Sequence, residues 1–262
     1  MDKFEEIKKE VIEYANMFGS GVYKTAHVTS NLNWLRIKRQ INEVINYIPQ
    51  NAKVLDVGCG LGHNTKMLSL IRPDINIIGI DPDKKKTWNK FKGDKCNYKR
   101  CNALQLKFEK NYFDVVVSFG VMEHIKPDYS RYFENKNPLN VEFKFMNEIF
   151  RVLQPGGFNI IANLPNKYSW AEFISKFFGI RTHSEKYNQK QIKQLIKKTN
   201  FKEILVKREF FIPVQVYKIS KRRGKLLNEY CSFFDKLDFF LNKFLNLFSQ
   251  SYFVICKKVS IK

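Results

Sequence analysis

The tightest constraint on this chain is the run KVLDVGCGLGHNT at Lys53 to Thr65. A short apolar stretch carrying Asp56 leads into Gly58, Gly60 and Gly62 at two-residue spacing, and a helical pattern follows. Glycine allows a sharp turn and lets a ligand approach the backbone without a Cβ in the way, while the helix behind presents free amide groups. The dinucleotide fingerprint spaces its last two glycines by three, whereas here the spacing is two. The Lys and Ser or Thr of a phosphate-binding P-loop are also missing from the motif. Both phosphate-binding readings therefore lose ground to a third kind of strand, loop and helix.

The pattern downstream is a strict alternation. Apolar runs at Val54 to Val57, Ile75 to Ile80, near Tyr98, Val115 to Val117 and Phe158 to Ala162 predict strands. Helical patterns after Gly62, after Asp83 (lysine-rich) and from Val141 to Leu153 separate them, with Pro155, Gly156 and Gly157 as helix stop and turn. Alternation of this kind defines an α/β fold, a mostly parallel sheet covered by helices on both faces. Amphipathic helices over 3–17 and 31–48 precede it and read as lid elements. The expected organisation is a helical lid over 1–50, a core over 51–211 with an insertion at 163–187, an amphipathic helical insertion over 212–250, and a final strand within 251–262. A helix at Gln189 to Lys198, a strand near Ile204 to Phe211 and a strand at Tyr252 to Cys256 complete the reading.

Four further motifs stand in order behind the glycine loop: IIGIDPD (Ile77 to Asp83), CNA (Cys101 to Ala103), FDVVVSFGVMEHI (Phe113 to Ile125) and FKFMNEIFRVLQPGGFNIIANLPN (Phe143 to Asn166). Together the five resemble the class I S-adenosylmethionine-dependent methyltransferases, over roughly Lys53 to Asn166. The wording of the last two resembles the branch acting on small molecules such as quinone precursors, sterol-like lipids and glycan sugars. The resemblance implies a Rossmann-like seven-stranded sheet in the order 3, 2, 1, 4, 5, 7, 6 and S-adenosylmethionine as cofactor. It implies that Asp56, Gly58, Cys59 and Gly60 line the methionine and ribose end, that Asp81 takes the ribose hydroxyls, and that Pro82 covers one adenine face. Asn102 stands where many relatives carry an adenine-reading Asp, and its amide oxygen can still accept from the exocyclic amine. Ala103 would offer a backbone amide to the ring, and Ser118 with Phe119 would pass beneath the methionine.

Methyl transfer is an in-line displacement in which alignment supplies much of the rate, and an oxygen acceptor also benefits from a base. His124, in the loop after the fourth strand, is the first candidate, and His183 in the 163–187 insertion the second. A Glu and His pair at positions 123 and 124 is common in the resembled families irrespective of acceptor, which argues for a structural or cofactor-site role instead. His27 and His63 read as loop and helix residues. No His, Cys and carboxylate group has metal-ligand spacing along the sequence, so no metal is expected. Tyr168, Trp170, Phe173, Phe177 and Phe178 either wall an acceptor pocket or pack the lid.

The net charge of +21 is concentrated: 10 basic and 3 acidic residues between Asp83 and Lys110, and 13 and 2 between Lys186 and Lys225, supply 18 of the 21 charges. Such a field favours anionic partners or reflects a lysine-rich solvated surface. RNA is the alternative acceptor, but the two stretches belong to opposite edges of the expected sheet, and the Asn, Pro, Pro, aromatic signature of amino-group methylation is missing. A non-catalytic scaffold is the third reading, and the intact Gly58, Gly60, Gly62 and Asp81 oppose it. Leu226, Leu227, Tyr230, Phe233, Phe234, Leu237, Phe240, Leu241, Phe244, Leu245 and Phe248 give a wide apolar helical face behind a basic cluster at 218–225. It is expected to pack on the N-terminal helices, to form a homodimer, or to rest on an anionic membrane through 218–248. Five cysteines without a CxxC pair, and a charged start MDKFEEIKKE, point to free thiols and the cytoplasm. The expected function is O-methylation of a small molecule or a lipid-linked sugar or quinone-type acceptor.

Overall fold

The computed structural model describes residues 3–18, 31–125, 140–177, 179, 183, 185–212 and 229–259. Seven strands form one sheet: β1 (Lys53–Val57), β2 (Asn76–Asp81), β3 (Cys96–Arg100), β4 (Phe113–Phe119), β5 (Leu153–Pro165), β6 (Phe201–Glu209) and β7 (Ser251–Lys258). Their order is β3-β2-β1-β4-β5-β7-β6, and only β7 runs against the rest. The helices are α1 (Lys3–Phe18), α2 (Asn31–Val44), α3 (His63–Ile71), α4 (Thr87–Phe91), α5 (Asn140–Val152), α6 (Trp170–Phe177), α7 (Gln189–Lys198) and α8 (Cys231–Leu245).

The central strands are apolar along their length because both of their faces are covered. Alternate residues go to alternate sides: Leu55, Val57 and Val116 pack with Phe145, Ile149, Ile192 and Ile196 of α5 and α7. Val54, Val115 and Val117 pack with Ile7, Val11, Ile37, Ile41 and Leu68 of α1, α2 and α3. Full burial of each such side chain contributes about 1.5–3 kcal/mol, so the two layers stabilise the sheet together. The helix α7 starts on Asn188, whose side chain accepts from Gln191 N while Gln191 returns a bond to the Asn188 N–H.

Several boundaries differ from the sequence reading. The helix α5 ends at Val152, and Leu153 already pairs with Phe113. Pro155 to Gly157 therefore form an irregularity within β5, with Gly156 at φ +86°, and do not separate helix from strand. The lysine-rich helix after Asp83 is short, five residues over Thr87–Phe91. Asn takes up the left-handed region at four positions, in turns at Asn51, Asn111 and Asn200 and within β5 at Asn163, with φ between 55° and 59°.

The larger difference concerns α8. Its one fully buried residue is Asp238, which pairs with the buried Arg36 of α2 at 2.9 Å and with Arg39 at 3.4 Å. Asp238 Oδ1 also accepts from Ile212 N at 2.6 Å. Phe234 and Cys231 cover Leu32, but Phe233, Phe239, Phe240 and Phe244 point outward. Most of the described apolar stripe therefore faces outward; the Asp238 charge and the edge carrying Phe234 and Cys231 dock the helix on α2. The basic cluster at 218–225 and His27 lie outside the described residues. Asp238→Ala would leave Arg36 buried without its main partner, a change that costs about 3–5 kcal/mol. Urea unfolding measures it, and a change near zero would show that α8 is docked by other means.

Candidate active site

The parallel strands deliver their carboxyl ends to one rim, where the ligand sites of open α/β sheets lie. In the register, Val57 stands beside both Ile80 and Ser118, so the loop after β1, Asp81 and the end of β4 come together at one level. Cys59 N donates to Ile80 O at 2.9 Å and Gly60 N to Asp81 Oδ2 at 3.0 Å. Asp81 Oδ1 accepts from Asp83 N at 3.0 Å. Three side chains hold successive carbonyls of the loop: Trp88 Nε1 donates to Gly60 O (2.9 Å), Thr87 Oγ1 to Leu61 O (2.7 Å) and Tyr98 OH to Gly62 O (2.8 Å). The sequence reading did not single these residues out, since a turn-anchoring hydroxyl or indole carries no spacing signal.

Two glycines of the loop are required for different reasons. A Cβ on Gly58 would lie 2.5 Å from a methyl carbon of Val121, whereas one on Gly60 would meet nothing within 4 Å. Gly58 is thus fixed by packing, and Gly60 faces open space beside Asp81. Beneath the loop, Asp56 is buried; Thr65 Oγ1 donates to its Oδ2 at 2.6 Å, and its Oδ1 has no protein partner. Burial pushes the Asp56 carboxyl up to about 7, with the Thr65 bond opposing and Asp81 adding repulsion. Ser118 is buried with an unpartnered hydroxyl, while Phe119 is half-buried. Cys59 is buried, and burial raises its thiol above the ordinary range. Pro82 and Asn102 are exposed and Ala103 half-buried. Asn102 Oδ1 accepts from Leu104 N at 2.9 Å. His63 caps no chemistry: burial of its ring against Trp34 holds it down to about 4, hence neutral.

Beyond β4 the chain turns through a short 3-10 segment, Met122–His124. Glu123 is buried, its Oε2 has no partner, and burial raises its carboxyl to about 7. His124 is exposed, with Nε2 3.8 Å from Glu123 Oε1. His183 arrives from the far side, its ring 6.1 Å from that of His124. Its Nδ1 lies 2.6 Å from Glu172 Oε1 of α6, and Lys186 pairs with the other oxygen at 3.2 Å. Burial alone would lower the His183 pKa, but the Glu172 contact outweighs it and the net shift is upward. The two candidate bases, 59 positions apart in sequence, therefore form one cluster with Glu123, and Glu172 supports it. Spacing along the chain could not reveal this group, because its members come from two loops. The aromatic residues of the insertion divide: Trp170 donates to Phe211 O at 2.8 Å, Phe173 and Phe177 are exposed, and Phe178 lies outside the described residues.

Residues 55–161 match the family model of a methyltransferase domain. The chain is 26% identical over 156 residues to a ubiquinone biosynthesis O-methyltransferase of Rhizobium rhizogenes, covering 55% of this chain and 56% of that protein. It is 30% identical over 131 residues to a ubiquinone/menaquinone biosynthesis C-methyltransferase of Pectobacterium atrosepticum, covering 47% and 46%. Among solved structures it is similar to phosphoethanolamine N-methyltransferase 2 of Haemonchus contortus in complex with S-adenosyl-L-methionine, with TM-score 0.58, 20% identity, and coverage of 97% and 57%. The chain spans about half the length of the curated relatives it matches. Residues 55–161 thus match a methyltransferase domain, and the seven-stranded order is that of a Rossmann-like fold, so the cofactor to set against the site is S-adenosylmethionine. The residues present fit that cofactor: the open side of Gly60 and the unpartnered oxygens of Asp56 and Ser118 are a cradle with polar groups left to satisfy.

The buried Asp56 makes a pH test. Its folded pKa lies above the ordinary carboxylate value, so the folded state holds a proton that the unfolded state releases. Its contribution to stability falls as pH rises from about 4 to about 7 and stays low above that. Asp56→Asn should therefore raise the melting temperature more at about pH 8 than at about pH 5 relative to the parent; parallel curves would contradict the assignment.

Proposed function

We propose that the whole protein transfers the methyl group of S-adenosylmethionine to an oxygen of a small acceptor, of the lipid-linked sugar or quinone-precursor kind. The observation that carries this reading is the Glu123, His124 and His183 cluster, which lies next to the glycine loop. Val121, packed on Gly58, is two residues from Glu123, so groups able to take a proton stand beside the cofactor cradle. When bound, the sulfonium supplies an electrophilic methyl group for in-line displacement.

In this reading Asp81 accepts from the ribose hydroxyls through its remaining lone pairs, and Asp56, Gly58, Cys59 and Gly60 border the methionine end. Pro82, Asn102 and Ala103 meet the adenine, and Ser118 with Phe119 lies under the methionine. The cluster then deals with the acceptor's hydroxyl proton. The curated O-methyltransferase relative supports the oxygen acceptor. The exposed aromatic side chains Phe173 and Phe177 of α6, with Phe233, Phe240 and Phe244 of α8, support an apolar or membrane-held one. Both helices leave the carboxyl ends of their strands, the side on which the cradle opens. No helix among the described residues is long and apolar enough to cross a membrane.

Asp81→Ala should weaken S-adenosylmethionine binding by about 1.5–3 kcal/mol, the worth of hydrogen bonds to a charged group; calorimetry showing unchanged affinity in the folded variant would move the cofactor elsewhere. His124→Ala or His183→Ala should lower turnover roughly 100-fold with cofactor affinity kept, measured with labelled methyl donor against lipid, glycan and RNA fractions. Label appearing only in RNA would overturn the acceptor class. Flotation with anionic liposomes tests delivery: the intact protein should float at low salt. Phe240→Glu with Phe244→Glu should stay folded, since both rings are exposed, and remain in the soluble fraction.

A further inference from the structure

We infer that Glu123, His124 and His183 form a binding site for one divalent transition-metal ion, on which an acceptor hydroxyl would be held. The inference rests on the proposed oxygen acceptor for its role, but the site itself stands on geometry. One potential ligand atom from each of the three residues lies within 4.8 Å of the others. Two imidazoles and a carboxylate are a donor set suited to first-row divalent ions such as zinc, manganese or cobalt.

Two further observations point to a cation. Glu123 is 3% exposed, and its Oε2 has no hydrogen-bond partner; a buried carboxylate oxygen left bare is costly unless something positive meets it. His183 is oriented as metal-bound histidines commonly are, with one ring nitrogen engaged by a carboxylate. Its Nδ1 lies 2.6 Å from Glu172 Oε1, while its backbone N–H donates to Glu172 Oε2 at 3.2 Å. This arrangement sets the tautomer with the proton on Nδ1 and leaves the Nε2 lone pair for the ion. Around an ion with bonds of about 2.1 Å, ligand atoms stand roughly 3–3.5 Å apart. The cluster must therefore contract by about an ångström, which the exposed ring of His124 can supply by rotation. Three protein ligands leave coordination positions open. A hydroxyl bound there becomes more acidic, because the ion stabilises the alkoxide or phenolate. With the ion bound the two imidazoles serve as ligands and not as bases: the hydroxyl's O–H bond breaks, the proton passes to solvent, and the oxygen's electron pair forms the new bond to the methyl carbon as the carbon–sulfur bond of the donor breaks.

The test uses the full chain, stripped with a chelator and titrated separately with zinc, manganese and cobalt salts by calorimetry, with cobalt absorption as an independent signal. The expected result is one ion per chain, with affinity lost at least tenfold in His183→Ala and in Glu123→Gln. Glu172→Gln, which changes only the supporting contact, should weaken binding by roughly 10- to 100-fold. Melting curves identify any variant that fails to fold, and His183→Gln replaces His183→Ala in that event. No binding of any of the three ions, or binding unchanged by both Glu123→Gln and a folded His183 variant, would overturn the site. Methyl transfer to a hydroxyl that persists in chelator, with no ion bound, would overturn the metal while leaving the oxygen acceptor standing. An ion bound as expected but methyl found only on nitrogen or carbon would support the site and reject the acceptor reading.

Discussion

Everything at the functional rim depends on the parallel pairing of β1 with β2 on one side and β4 on the other. Because all three strands run the same way and Val57 is level with Ile80 and Ser118, their last residues emerge together. A one-residue slip would turn Leu55 and Val57 from one packed layer to the other and move Asp56 with them. Two dissimilar apolar layers hold the register, and the polar geometry of the rim is a consequence of that packing.

The rim has two halves of different character. The loop over the cradle is rigid: its carbonyls are held by Trp88, Thr87 and Tyr98, and its amides by Ile80 and Asp81. The other half is assembled from segments distant in sequence and held by charge. Glu172 and Lys186 fix His183, and Gln40 of α2 donates to both Asn163 and Glu209 at the ends of β5 and β6. The rim thus joins a loop fixed by hydrogen bonds to a half held largely by charge.

The alternation of strands and helices, the helix Gln189–Lys198 and the glycine turn were legible in the sequence because their signals are local, whereas the sheet order followed from the resemblance. Short apolar runs, helical periodicity and glycines at fixed spacing each act within a few residues. What was not legible depends on partners far along the chain. The hydrophobic pattern of α8 indicates which face is apolar, yet it says nothing of Arg36, 202 positions away, which draws Asp238 inward. The same is true of His183: sequence order gave no reason to bring it to Glu123, and α6 does so by supplying Glu172. The helix stop at Val152 was read too late because the glycines that look like a turn serve as an irregularity within β5, where a Cβ on Gly157 would lie 2.7 Å from Asp114 O.

The asparagines in the left-handed region bear on how this protein ages. An asparagine gives up less conformational freedom on folding than a glycine would, so these bends form at a lower entropic cost. The side-chain amide is also among the thermolabile groups of proteins. At Asn163, hydrolysis would replace the amide that accepts from Gln40 with a carboxylate, setting two acids, this one and Glu209, on a single glutamine amide. Chemical wear of the chain thus has a place to begin at the seam between the first helices and the sheet.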